Sequence, residues 1–228
     1  SDYACRYDVG AFLMNQQLTF TLKVPKGTSM YQRMPSEPIH RSAEIEKVGD
    51  VTYRWTMTRA WAPGPTILWM LLNPSDADGK RDDPTTLRMI GWSYRWGFGS
   101  MIVVNAYPFA SSTTPALRAW RKTVNWEHYD SPLNRNLRVI SNLVSSPEVT
   151  KIVAAWGNGV DDDDFEEIRC GVRKTVNDTE FGDIGIEIDW HCIGKTKSGA
   201  PMHPLARGHH RVPDDAVLKI WKRSRGDT

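Results

Sequence analysis

Cysteine is scarce. The 228 residues hold three, Cys5, Cys170 and Cys192, too few and too scattered for a four-thiolate zinc or iron-sulfur site or for a disulfide framework. A reducing, cytoplasmic home is therefore expected. Long apolar runs are also missing: no stretch approaches the roughly 18 residues of a membrane span, and the first residues lack the apolar core of a secretory signal. No membrane partner is expected. Nor does one sign of charge dominate, since the formal net charge is +2, a value that neither demands nor excludes a nucleic-acid partner. No internal repeat and no glycine-rich phosphate loop stands out.

What is present reads as a soluble α/β protein. Hydrophobic residues make up 40% and charged residues 25% of the chain, which excludes disorder, and the length suits one sizeable domain. Ten tryptophans are unusual. Most of that indole should be core, with a surplus available to stack bases in a groove. Positive charge gathers late, at Arg207, Arg211, Lys219, Lys222, Arg223 and Arg225, beside His209 and His210. Such a stretch could meet phosphates or form a solvated helix face.

Residues 1–50, broken by Pro25, Gly27, Pro35 and Pro38, read as an irregular arm packed on a single domain spanning 51–228. VTYRWTMTRAW (51–61) has a strand's composition, and TILWMLL (66–72) is the unbroken apolar run of a strand buried on both faces. Helices are expected after Pro84, near Pro115, from Asp130 to Leu143 and over 161–176, the last with acids at its N-terminus. Further strands are expected at SMIVVNAYP (100–108), KIVAAWGNG (151–159) and IDWHCIG (188–194), with DDAVLKIWKRS closing the chain as a helix. Strands alternating with helices predict a three-layer α/β/α sandwich around a mainly parallel sheet.

In such sheets ligands bind beyond the carboxyl ends of the strands, which gathers the loops 73–85, 105–112, 156–161 and 194–210. The first of them, MLLNPSDADGKRDDPT, drives a buried strand into Asp76, Asp78, Asp82 and Asp83. Oxygen ligands of this kind suit Mg²⁺, so a metal-dependent nuclease or phosphoryl-transfer enzyme is one reading. No His or Glu clusters with them at ligand spacing, and neither a metal nor a cofactor is expected.

Taken in order, LLNPS, VVNAYPF, IVAAWGNG and PMHPLA resemble the ordered blocks of the uracil-DNA glycosylase superfamily. The set LNPSDAD, DDPT, VVNAYPF, AAWG and HPL also resembles a family of uncharacterised bacterial and phage proteins. The likeness covers residues 66–206 and implies a glycosylase-like fold. It implies a monofunctional DNA glycosylase that flips out a pyrimidine and leaves an abasic site, and no lysine stands out as a Schiff-base nucleophile.

Breaking an N-glycosidic bond leaves an oxocarbenium-like sugar and an anionic base, so water must be positioned and the anion must receive a donor. The resemblance gives Asn73 the water, with Asp78 or Asp76 supplying negative charge, and gives His203 the anion. Asn105 would read the pyrimidine edge, Tyr107 and Phe109 would stack on the base, and Leu205, Arg207 and Arg211 would wedge the duplex and meet phosphate. Where the uracil-specific branch has a bulky Tyr, this chain has Ser75, so the pocket should admit a C5-modified pyrimidine. The polar neighbours Asp76, Asp78, Asp82 and Asp83 could hydrogen-bond its substituent, with Asp76 and Asp83 counted among the substrate-binding residues. Glucosylated hydroxymethylcytosine of phage DNA would fit, making the protein an antiphage defence enzyme, expected as a monomer. A non-catalytic module stacking bases on its tryptophans is the remaining alternative.

Overall fold

The computed structural model of the protein describes residues 34–36, 38–75, 79–178, 182–186, 188–208 and 211–222, with backbone alone within 174–178 and 182–186. Asp76, Asp78, His209, His210 and most of the arm expected over 1–50 lie outside the described residues.

Among the described residues a seven-stranded mixed sheet and four helices make an α/β fold. The strands are β1 (His40–Val48), β2 (Val51–Ala60), β3 (Thr66–Leu71), β4 (Ser100–Asn105), β5 (Val149–Ala154), β8 (Trp190–Cys192) and β9 (Lys219–Lys222), in the order β1-β2-β4-β3-β5-β8-β9. A separate hairpin pairs β6 (Lys174–Asp178) with β7 (Gly182–Ile186). Strands β4, β3, β5 and β8 run parallel, while β1, β2 and β9 add antiparallel edges. The sheet is thus mixed rather than mainly parallel.

All six residues of β3 are buried, as its apolar run requires of a strand covered on both faces. Alternation divides them. Ile67, Trp69 and Leu71 pack with Met89, Ile90 and Trp92 of α1 (Pro84–Arg95), whereas Leu68 and Met70 join a cluster that includes α2 (Thr114–Arg121), α3 (Pro132–Ser145) and α4 (Asp162–Gly171). Every tryptophan is buried or half-buried. Helix α1 begins where Asp83 Oδ1 accepts the Thr86 N–H at 2.7 Å and Pro84 fills the first turn. A cap of this type contributes about 1 kcal/mol. The acids ahead of α4 act likewise, with Asp161 accepting from Asp164 N at 2.9 Å.

Three expectations need correction. Residues 40–48 belong to the sheet as a nine-residue strand, joined to β2 by a two-residue turn in which Gly49 takes φ 59°. The helix expected over 161–176 stops at Gly171, whose added Cβ would meet Leu137 Cδ1 at 2.5 Å, and β-branched residues then favour the β6 strand. The closing segment holds strand β9 instead of a helix, because Trp221 packs its ring against Trp156 and Phe165 and donates from Nε1 to Gly199 O.

Candidate functional site

A pocket of about 30 Å3 lies where the end of β3 and its following loop meet β2, the start of α1 and the β8–β9 loop; Arg54, Met57, Leu71, Asn73, Ser75, Asp83, Thr85, Thr86 and His203 line it. Space of that size holds about two waters.

Asn73 lies two residues beyond the end of β3. Its Nδ2 donates to Ser111 O at 2.7 Å and Pro74 O at 3.1 Å, with Phe109 O at 3.4 Å. Three carbonyls around one nitrogen fix the amide's orientation. Because the amide is planar, Oδ1 is turned away from them, and Asn73 lines the pocket. His203 is half-buried in the loop between β8 and β9. Its Nδ1 accepts the Leu205 N–H at 3.1 Å, which leaves the proton of the neutral ring on Nε2. Burial lowers the His203 pKa, and the nearby Asp83 charge opposes that only in part. The neutral ring is a donor whose tautomer is set by the backbone.

Asp83 and Asp82 are neighbours with different tasks. The Asp83 carboxylate caps α1 with Oδ1 and accepts Ser75 Oγ at 3.2 Å with Oδ2, at the exposed rim of the pocket. The Asp82 carboxylate is buried between Arg59 Nε at 2.6 Å and Arg41 Nε at 2.9 Å, so it anchors the loop to β2 and β1.

Of the other expected site residues, Asn105 is buried and does not line this pocket. Its Oδ1 accepts Arg54 Nη2 at 3.0 Å, and its carbonyl accepts Asn136 Nδ2 at 2.7 Å. Tyr107 is also buried away from it, donating its hydroxyl to Asp164. Asp164 further accepts Arg121 Nε at 2.9 Å and Trp126 Nε1 at 2.8 Å, so this network ties the end of β4 to α4. Its surroundings move the two groups apart. Burial, reinforced by the Asp164 hydrogen bond, raises the Tyr107 pKa; the bonds to Arg121, Tyr107 and Trp126 outweigh burial and lower that of Asp164. Phe109 stacks on Trp120 with ring centroids 5.2 Å apart. Leu205 is half-buried beside His203, and Arg207 and Arg211 are exposed on the following turn.

Sequence reasoning missed Arg54. Alternation counted back from Met57 would send it to the opposite face, but the β1–β2 register shifts, pairing Glu44 with Thr56 and Ile45 with Arg54. Trp55 is the extra residue of this bulge, and Arg54 is turned onto the Met57 face. Burial pushes its pKa down to about 10 while the Asp83 charge works the other way. Among the described residues no three His, Cys, Asp or Glu side chains gather where they could hold a metal, and the metal reading's Asp76 and Asp78 fall outside them. No described helix is long and apolar enough to cross a membrane.

A family model described as a protein of unknown function (DUF1643) matches residues 54–205. The chain belongs to this family. The matched span contains every residue lining the pocket. That match overturns the assignment to the uracil-DNA glycosylase superfamily, for which no family model matches. No curated protein and no solved structure matches the chain.

Proposed function

We propose that this pocket hydrolyses an N-glycosidic bond in DNA, releasing a pyrimidine base and leaving an abasic site. One observation carries the reading. A neutral imidazole whose proton sits on Nε2 and an amide whose Oδ1 is turned from its backbone anchors line the same small pocket. The pair combines a donor for a departing oxyanion with an acceptor for a water, and neither group is a strong acid or base.

The chemistry follows from that pairing. As the bond between C1′ and the base nitrogen breaks, its electron pair leaves with the base, and His203 Nε2–H bonds the oxygen on which charge accumulates. Water held by Asn73 Oδ1 adds to the cationic C1′ and releases its proton to the departing anion or to solvent. Asp83 contributes negative charge beside the cationic sugar without taking the proton.

Exposed Ser75 at the rim supports a substrate modified at pyrimidine C5, a hydroxymethyl or sugar-bearing base of phage DNA among them, with Asp83 in reach of its hydroxyls. Arg207 and Arg211 are exposed for phosphate contact and Leu205 adjoins His203, as a base-flipping enzyme needs. The reading includes a three-layer α/β/α arrangement, a monomer, a cytoplasmic setting and a role in antiphage defence. Mass spectrometry of bases freed from DNAs carrying uracil, thymine, hydroxymethylcytosine and glucosylated hydroxymethylcytosine tests it. Release of a C5-modified pyrimidine, abolished in His203→Ala and Asn73→Ala, is the expected result. Release of nothing sinks the reading, and release of uracil alone sinks its C5 part.

A further inference from the structure

A glycosylase that relies on one neutral imidazole gives the departing base a single hydrogen bond. The pocket contains a second group with more to give. Arg54 is 4% exposed, yet it lines the pocket together with His203 and Asn73. Its place there is built rather than incidental. The bulge at Trp55 turns it inward, Asn105 Oδ1 holds its Nη2 at 3.0 Å, and Asn136 reaches from α3 to hold the Asn105 carbonyl. A cation is costly to bury, the Asp83 charge offsets part of that cost, and strongly perturbed groups of this kind cluster at functional sites.

Resting on the glycosylase reading, we propose that Arg54 is a catalytic residue that binds the departing base as its anion, so that the pocket's ligand class is a pyrimidine carrying ring-delocalised negative charge. The bond's electron pair ends on the ring nitrogen and spreads to the exocyclic oxygens; His203 Nε2–H meets one oxygen and the Arg54 guanidinium meets the charged ring edge. The base is neutral before the bond breaks and anionic after it. A fixed, largely buried cation thus favours the transition state over the ground state. Asn105, which was expected to read the base, is a positioning residue that aims Arg54. Burial lowers the Arg54 pKa to about 10, still well above neutrality, so the cation persists under the conditions of the reaction.

Two measurements test this on the full chain, one of them independent of DNA cleavage. Calorimetry compares binding of 5-nitrouracil, an anion at mildly alkaline pH, with that of thymine, neutral there. The wild type should prefer the anion by tenfold or more, Arg54→Met should lose the preference, and Arg54→Lys, which keeps the charge, should recover part of it. Single-turnover release is then measured from oligonucleotides bearing 2′-deoxyuridine and its 5-fluoro analogue. Arg54→Met should slow release by roughly 10²–10³-fold, and the more acidic 5-fluorouracil should be slowed at least tenfold less than uracil. A merely structural loss would slow both alike. Equal binding of anion and neutral base, or an anion preference unchanged in folded Arg54→Met, overturns the proposal. If the anion preference depends on Arg54 but no base leaves any DNA, the anion site is supported and the glycosylase reading alone falls.

Discussion

Arg88 should be the residue whose loss most loosens the His203 loop. It sits on α1, 6% exposed, with Nη1 donating to Pro204 O at 2.6 Å and Nη2 to Val212 O at 2.5 Å and Asp214 Oδ1 at 2.9 Å. Its guanidinium carbon lies 4.5 Å from the centroid of the Trp92 ring. Replacing it with methionine keeps much of the volume and removes the donors, stranding two backbone carbonyls at roughly 1–3 kcal/mol each. Relief from burying the cation offsets part of that, so a net loss of roughly 2–4 kcal/mol is expected. Against a total of about 5–15 kcal/mol this is large, and it corresponds to a melting temperature lower by roughly 5–15 °C. Urea unfolding followed by tryptophan fluorescence should show a lower midpoint with an unchanged slope. Because Pro204 adjoins His203, base release by the folded variant should fall as well. Arg88→Lys should restore only part of the stability, since an ammonium cannot span three acceptors in the guanidinium's fixed geometry. If the Arg88→Met midpoint stays within about 0.5 kcal/mol of the wild type, the neighbouring bonds from Trp92 Nε1 to Asp214 O and from Arg95 Nη2 to Ala216 O hold the loop, and the reasoning is wrong.

Three other expectations follow from the same contacts. Burial lowers the pKa of His203 and of His191, so the unfolded chain, titrating near 6.5, takes up protons first; stability is full above about pH 6.5 and declines as pH falls below it. A urea midpoint flat from about pH 7 to 5 would contradict this, and base release should lose its acid limb in His203→Gln. Asn73→Asp sets a carboxylate oxygen where Nδ2 meets the Ser111 carbonyl at 2.7 Å, costing roughly 1–3 kcal/mol, and it should slow release although it adds a stronger base; faster release would refute the water-orienting role. In Gly99→Ala the new Cβ would lie 2.3 Å from Ala62 O and 2.8 Å from Pro63 C, both backbone atoms, so a loss of about 1–3 kcal/mol in thermal unfolding is expected, and a neutral result would show that the 62–63 turn can give way.

The parts of the fold legible in the sequence are those fixed by local rules. Six buried positions in a row identify β3, Pro84 after an acidic cap opens α1, and Asp161 opens α4. What escaped depended on distant partners. Strand β1 alternates only loosely, and its pairing with β2 was signalled by nothing more than Gly49-Asp50 between two valines. Strand β9 has helix-compatible residues, and a tertiary contact decides it: Trp221 finds the Trp156 and Phe165 rings, burial outweighing propensity.

The candidate site divides in the same way, and its acidic loop shows why. Asn73, Ser75 and His203 were within reach because topology alone places strand-end loops together. Composition could not separate Asp82 from Asp83. In an extended segment successive side chains point in opposite directions, so one carboxylate faces α1 and the pocket while its neighbour faces the sheet. The cations that neutralise Asp82, Arg41 and Arg59, come from strands far earlier in the chain, which is why Asp82 read locally is one more acid of the loop and read in space is an ion-paired anchor. Arg54 depends on longer-range information still. A single extra residue in β2, opposite Glu44 and Ile45, reverses which face its side chain occupies, and a bulge can be recognised only once the partner strand is known.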